Sequence, residues 1–167
     1  MTPADVFIDG FGRVVETGLA VVGGLSDDEL AERPGPEANS IAWLVWHAAR
    51  VQDSHIADVA GLEQVWTAQG FVDTFDLPLD RDDTGFGFSS EQVAKVRVGA
   101  DLLASYFRAV HDQTIQYLRK LGEEDLDQVV DERWDPPVTL GVRLVSVLDD
   151  DAQHVGQASY VRGLQGY

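Results

Sequence analysis

Apolar residues recur along this chain at alternating spacings of three and four, in four long blocks, and that period predicts helices. The cleanest stripe is Val96, Ala100, Leu103, Phe107, Val110, Thr114, Leu118 and Leu121, the seam expected of a helix packed nearly antiparallel to its neighbours. The capping box Ser89-Ser90-Glu91-Gln92 is its predicted start and Leu121-Gly122 its end, since a serine and a Gln three residues on satisfy each other's free backbone N–H groups. Thr2 before Pro3 opens another block, to about Leu25, with proline at the first helical position. Asn39 opens a block to about Ala60, closed by Gly61, and Thr139, after Pro136-Pro137, opens the last, to about Arg162-Gly163. The block from Asn39 is apolar nearly all round: Ile41, Leu44, Val45, Ala48 and Val51 share one side, Trp43 and Trp46 another. Such a helix is buried on several faces. A second capping box, Ser26-Asp27-Asp28-Glu29, predicts a short extra turn before Pro34. The expected fold is all-α, an up-and-down four-helix bundle, with residues 1–167 as one domain.

The connection from Leu62 to Phe88 is too long for a simple loop in a compact domain and too aromatic for a solvated linker. It carries Trp66, Phe71, Phe75, Phe86 and Phe88, and it is expected to fold over one end of the bundle with Trp66 and the Gly85-Phe86-Gly87-Phe88 turn tucked in. The formal net charge is −17, which repels nucleic acid and anionic membrane surfaces. No apolar run reaches the ~18 residues of a membrane span, no cysteine is present to form a disulfide or a thiolate site, and the first residues have no leader pattern. A cytoplasmic protein is expected. Of 12 basic residues only Lys95 and Lys120 are lysines, a bias of high-GC genomes.

One anomaly points to chemistry. At 100° per residue, Asp150 lies about 40° from His154 on the stripe that also carries Leu140, Val147, Ala158 and Val161. Four residues apart, the two side chains stand one above the other on a face that must be buried, where a carboxylate and an imidazole are costly unless they pair or hold a metal. Asp151 is a weaker alternative and Asp149 points to solvent. A third ligand must come from another helix, and the block from Asn39 offers His47 and His55, eight residues and about 12 Å apart, so only one can join a compact site. Periodicity places His55 more centrally in the buried stripe and His47 at its edge, without choosing between them as ligands. His111, beside Val110, is expected to be half exposed. Phosphate loops, a Gly-x-Ser-x-Gly elbow and a cysteine nucleophile are all absent from the sequence.

The runs Asn39-Ser-Ile-Ala-Trp-Leu-Val-Trp-His47-Ala-Ala-Arg-Val and Val147-Leu-Asp-Asp150-Asp-Ala-Gln-His154-Val-Gly-Gln157-Ala-Ser-Tyr-Val-Arg-Gly163 resemble the DinB-like superfamily. The likeness is strongest to its actinobacterial, mycothiol-linked branch. That superfamily includes the metal-binding domain of mycothiol-dependent maleylpyruvate isomerase and the bacillithiol S-transferases. The resemblance implies a four-helix bundle holding one divalent metal, zinc or nickel, through His47, Asp150 and His154. The middle ligand is His or Glu in those relatives; Asp150 is shorter than Glu but is a sound hard ligand. The isomerase carries a second domain that contributes to its active site, so its own reaction is not expected here.

The function expected on this reading is metal-dependent S-transfer. A low-molecular-weight thiol, mycothiol, enters an open metal position, and its thiolate attacks an electrophilic small molecule, with Gln157 contacting thiol or water and the loop around Trp66 closing the pocket. Two rival readings stand beside it: a non-catalytic metal-binding or stress-response protein, and a homodimer scaffold in which Asp150 and His154 are a structural pair.

Overall fold

A computed structural model describes residues 1–167. Four long helices form the bundle: α1 (Pro3–Val22), α3 (Ile41–Ala60), α7 (Ala100–Leu118) and α8 (Leu140–Gln165). Between them lie the short helices α2 (Asp27–Ala31), α4 (Val65–Ala68), α5 (Phe71–Phe75) and α6 (Ser90–Val93), and one hairpin of β1 (Val129–Asp131) with β2 (Val138–Thr139). The protein is all-α, as the periodicity predicts. No helix is long and apolar enough to cross a membrane.

The predicted caps do most of the work of starting helices. Thr2 and Asp5 form a capping box on α1, Ser26 and Glu29 one on α2, and Thr139 accepts from Val142 N at the head of α8. Ser40, one residue after the expected Asn39, caps α3 by accepting from Trp43 N. Gly61 ends that helix in the left-handed conformation, φ 63°. The third block differs. Its capping box starts only the four-residue α6, and α7 begins ten residues later, after Gly99. Val93, Val96 and Val98 all turn inward over this break, so burial of three β-branched side chains replaces the helical turns that the seam predicted.

The direction of the helices also has a specific cause. His47 of α3 lies beside His154 of α8, and His55 beside Arg143, so these two helices are antiparallel. Arg50 meets Tyr106 while Tyr117 meets Val59, so α3 and α7 run the same way. Gly10 of α1 lies against Leu148 and Gly18 against Val155, so α1 and α8 also run the same way, and the order is up, down, down, up rather than a simple alternation. It arises because the long connection carries the chain back to the end at which α3 began. It does so along the flank of α3, not over one end of the bundle as expected: Val65 and Trp66 bond to Asp53, Asp83 to Arg50, and Ser90 to Arg33.

The core falls into two clusters. The larger joins the tryptophans of α3 to Trp66, Phe75, Tyr106 and Phe107; the smaller packs Phe11, Ile56, Leu118, Leu144 and Val147. At Gly18 the helices approach so closely that a Cβ would sit 2.6 Å from the Phe107 ring, which glycine alone permits without displacement.

Candidate metal centre and its cavity

Antiparallel α3 and α8 bring His47, Asp150 and His154 together, with one donor atom of each within 4.8 Å of the others. His47 is buried, 5% exposed, and Trp43 stacks on its ring at a centroid distance of 4.6 Å. The His154 ring meets it edge-on at 4.5 Å. Each imidazole is oriented by a backbone carbonyl. His47 Nδ1 lies 2.5 Å from Thr84 O, and His154 Nδ1 lies 2.7 Å from Asp150 O. A carbonyl only accepts, so each Nδ1 carries a proton, and in the neutral ring each Nε2 keeps a lone pair.

Thr84 belongs to the long connection, which explains why it packs where it does. Gly85 follows at φ 94°, and a Cβ there would sit 2.8 Å from His47 Nδ1, 3.1 Å from Trp46 and 3.3 Å from Trp43. Only a residue without a side chain lets the backbone come close enough for Thr84 to hold His47. Of the expected turn, Phe88 does stack on Trp46, but Phe86 is 90% exposed.

The pKa directions at the three donors follow from burial and from their contacts with one another. Burial lowers the His47 pKa, with the Thr84 bond opposing. At His154 burial also acts downward, but the contacts with Asp150 outweigh it and raise the pKa. For Asp150 burial acts upward and the surrounding imidazoles, His154 first, prevail and lower it. Asp150 Oδ2 is 3.3 Å from His154 Nδ1, whose proton is directed to the carbonyl, and this buried oxygen has no hydrogen-bond partner. Asp151 is fully buried, and neither of its oxygens is bonded. Burial first, then the charge of Asp150, pushes its pKa well above its usual value.

The structure reverses the periodicity reading of the two histidines. His47 is the buried one because the connection covers the edge that α3 alone leaves open, whereas His55 is half-buried and accepts from Arg143 at Nδ1, 2.7 Å away. His111 is half-buried, as expected. Gln157 is exposed and does not line the cavity beside His47 and Asp150.

A cavity of about 560 Å³ opens beside His47 and Asp150 and runs along the α3–α8 groove to His55 and Arg143. The β1–β2 hairpin supplies Asp131, Arg133 and Trp134 to its wall, and Thr84 and Phe86 line it from the connection. Arg133 first, then Arg143, holds the Asp131 carboxyl far below its usual range. Sequence reasoning overlooked Arg143, though a signal was present: seven residues before Asp150, it lies within about 20° of it on the helix.

A family model for the mycothiol S-transferases matches residues 10–166. A conserved protein of known crystal structure from Enterococcus faecalis is 34% identical, with a TM-score of 0.92 over 98% of this chain and 97% of that one. A DinB-like protein from Bacillus cereus superposes with a TM-score of 0.64 at 15% identity, covering 96% of this chain and 91% of that one; this second likeness is one of fold. No curated protein matches.

Proposed function

The chain belongs to the mycothiol S-transferase family, and from that premise we propose that it is a divalent-metal-dependent enzyme joining the sulfur of mycothiol to an electrophilic small molecule. The observation that carries this reading is the convergence of His47, Asp150 and His154 at one end of an open cavity.

The residues fit a metal. Two imidazoles and a carboxylate are the donor set of several catalytic zinc sites, which keep a further position open. Bound donors stand at most about 4 Å apart, so donors already within 4.8 Å need only small side-chain rotations. The orphaned Asp150 Oδ2 then gains a partner, and both Nε2 lone pairs are free for the role. Zinc or nickel suits imidazole and carboxylate together. Bound there, the cation would supply a Lewis acid that favours the thiolate form of a thiol.

The chain's own residues do the rest. Thr84 and the Asp150 carbonyl hold the two imidazoles in the tautomer that directs Nε2 away from the backbone, as the outer partners of ligating histidines do. Trp43, stacked on His47, excludes water from one side. The groove beside Asp150 gives an electrophile room to lie against the sulfur, so positioning adds to thiolate formation. The reading assigns no step to Gln157.

The test is twofold. Purified untagged chain should carry close to one divalent metal by mass spectrometry, and the loaded protein should accelerate conjugation of mycothiol to a small haloaromatic. Metal-free protein that refuses added zinc and nickel would end this reading. Metal-loaded protein inert with mycothiol, bacillithiol and other thiols would leave a non-catalytic metal-binding protein.

A further inference from the structure

The far end of the cavity is furnished differently from the His47 end. Arg143, 14% exposed in its side chain, donates to His55 Nδ1 at 2.7 Å and to Asp131 Oδ2 at 3.0 Å. A guanidinium has five N–H groups and no acceptor, so these two bonds do not exhaust it, and Arg143 lines the cavity. The same bond fixes His55: its Nδ1 accepts, so its proton is on Nε2, which adds another donor.

Asp131, by contrast, is spent. Its Oδ1 accepts from the backbone N of Arg133 at 3.0 Å and from Arg133 Nε at 2.8 Å, and its Oδ2 from Arg133 Nη2 at 2.8 Å and from Arg143. Four bonds fill the roughly four acceptor sites of a carboxylate. What this end of the cavity offers is therefore chiefly N–H donors: Arg143 and Arg133 carry two positive charges against Asp131 on the wall and Asp58 beside it, and the Ser54 and Ser146 hydroxyls complete the lining. An anion needs donors alone, and a buried guanidinium supplies them together with charge. The net charge of −17 repels anions at long range, so selection for one must be made by contact, and this is where contact is on offer. Trp134, 65% exposed, and Phe86 line the same space, so aromatic surface is at hand for a flat ligand. Seven residues of α8 separate Arg143 from Asp150, about 10 Å along the helix.

We propose that the Arg143 end of the cavity is a carboxylate subsite, and that the electrophile is an aromatic or unsaturated acid whose carboxylate is bound there while its reacting carbon points toward His47 and Asp150. The assignment of this acid as the electrophile rests on the S-transferase reading; the binding itself does not.

The experiment separates the two. The whole chain is titrated calorimetrically with 4-chloro-3-nitrobenzoate and with its carboxamide, which has the same shape without the charge. The carboxylate should bind more tightly by roughly tenfold or more, as charge-assisted hydrogen bonds allow. Arg143→Met should bring the ratio of the two affinities close to one, and Arg143→Lys, which keeps the charge and loses the fork, should leave it intermediate. Circular dichroism checks folding, and Arg143→Gln replaces the Met variant if that one does not fold. Equal binding of the pair by the natural chain, or a preference that survives loss of Arg143, overturns the subsite. Glutathione, a thiol with two carboxylates, is the control: Arg143-dependent binding of glutathione without that of the nitrobenzoate would place the anion on the thiol and overturn the assignment to the electrophile. Absence of thiol-dependent turnover with either haloaromatic would remove the S-transferase reading, and the measured carboxylate preference would still decide the subsite.

Discussion

Asp53→Ala should cost about 3–5 kcal/mol of folding stability and weaken metal binding, although Asp53 is not one of the three candidate ligands. Its side chain is fully buried on α3 and accepts the backbone N–H groups of Val65 and Trp66 and the Tyr106 hydroxyl, each at 2.8 Å. Arg50, equally buried, stands 3.7 Å from the same carboxylate and donates to Gln64, Tyr106 and Asp83 O. Burial pushes the Asp53 pKa up, and these hydrogen bonds and the Arg50 charge oppose it. Alanine leaves three buried donors without an acceptor, about 1–3 kcal/mol each, and Arg50 without its counter-charge, about 3–5 kcal/mol. The terms share one relaxation of the connection and admission of water, so they do not add, and the ion-pair figure is the expected total. Urea unfolding followed by circular dichroism measures it. At ~2–4 °C per kcal/mol for a chain of this size, the melting midpoint should fall by roughly 6–20 °C. The effect on the site follows from Arg50, which holds Asp83 O, one residue before the carbonyl that orients His47. A loss below about 1 kcal/mol, with full metal affinity, would refute the reasoning that this buried network holds the connection in place.

Three further outcomes are expected. His47→Ala should abolish tight metal binding in a calorimetric zinc titration while His55→Ala retains it; the opposite result would dissolve the ligand assignment. Gly85→Ala meets both a left-handed backbone and a Cβ 2.8 Å from His47 Nδ1, so it should cost about 1–3 kcal/mol and weaken zinc binding, and unchanged affinity would show that Thr84 does not orient His47. The buried bond from Gln52 Nε2 to Thr114 Oγ1, 2.7 Å, joins α3 to α7. Thr114→Val alone should cost about 1–3 kcal/mol by stranding the amide, and adding Gln52→Leu should recover part of it; strict additivity in urea unfolding would deny the coupling.

Much of the bundle was legible because its signals are local. Thr2, Ser26 and Thr139 start helices through oxygens that reach backbone N–H groups three residues ahead, and Gly61 stops one by a conformation that other residues avoid. The break before α7 was not legible, since Val96 keeps the helical period of the seam while its burial is provided by another backbone path. The hairpin that carries Asp131 and Arg133 to the cavity is equally hidden. Its strands are of three and two residues, shorter than any period that sequence can establish.

The choice between His47 and His55 shows where such reading stops. A helical period measures a residue against the other faces of its own helix, and by that measure His55 is the more central. Burial of His47 comes instead from Thr84 and Gly85, 37 and 38 positions further along the chain, brought back along α3 by Asp53 and Arg50. The residues that cover it are separated from it by a loop whose path no local pattern specifies. Resemblance to a family selected His47 where the period could not, because a family motif carries the result of that long-range packing in its spacing. The same packing accounts for the polarity of the groove. One end acquires lone pairs, because carbonyls from the connection and from α8 itself fix both Nδ1 protons. The other acquires donors, because the hairpin's Asp131 is consumed by Arg133 and Arg143. A groove with imidazole lone pairs at one end and guanidinium donors at the other is a difference made by tertiary structure from residues whose charges, counted along the chain, give only −17.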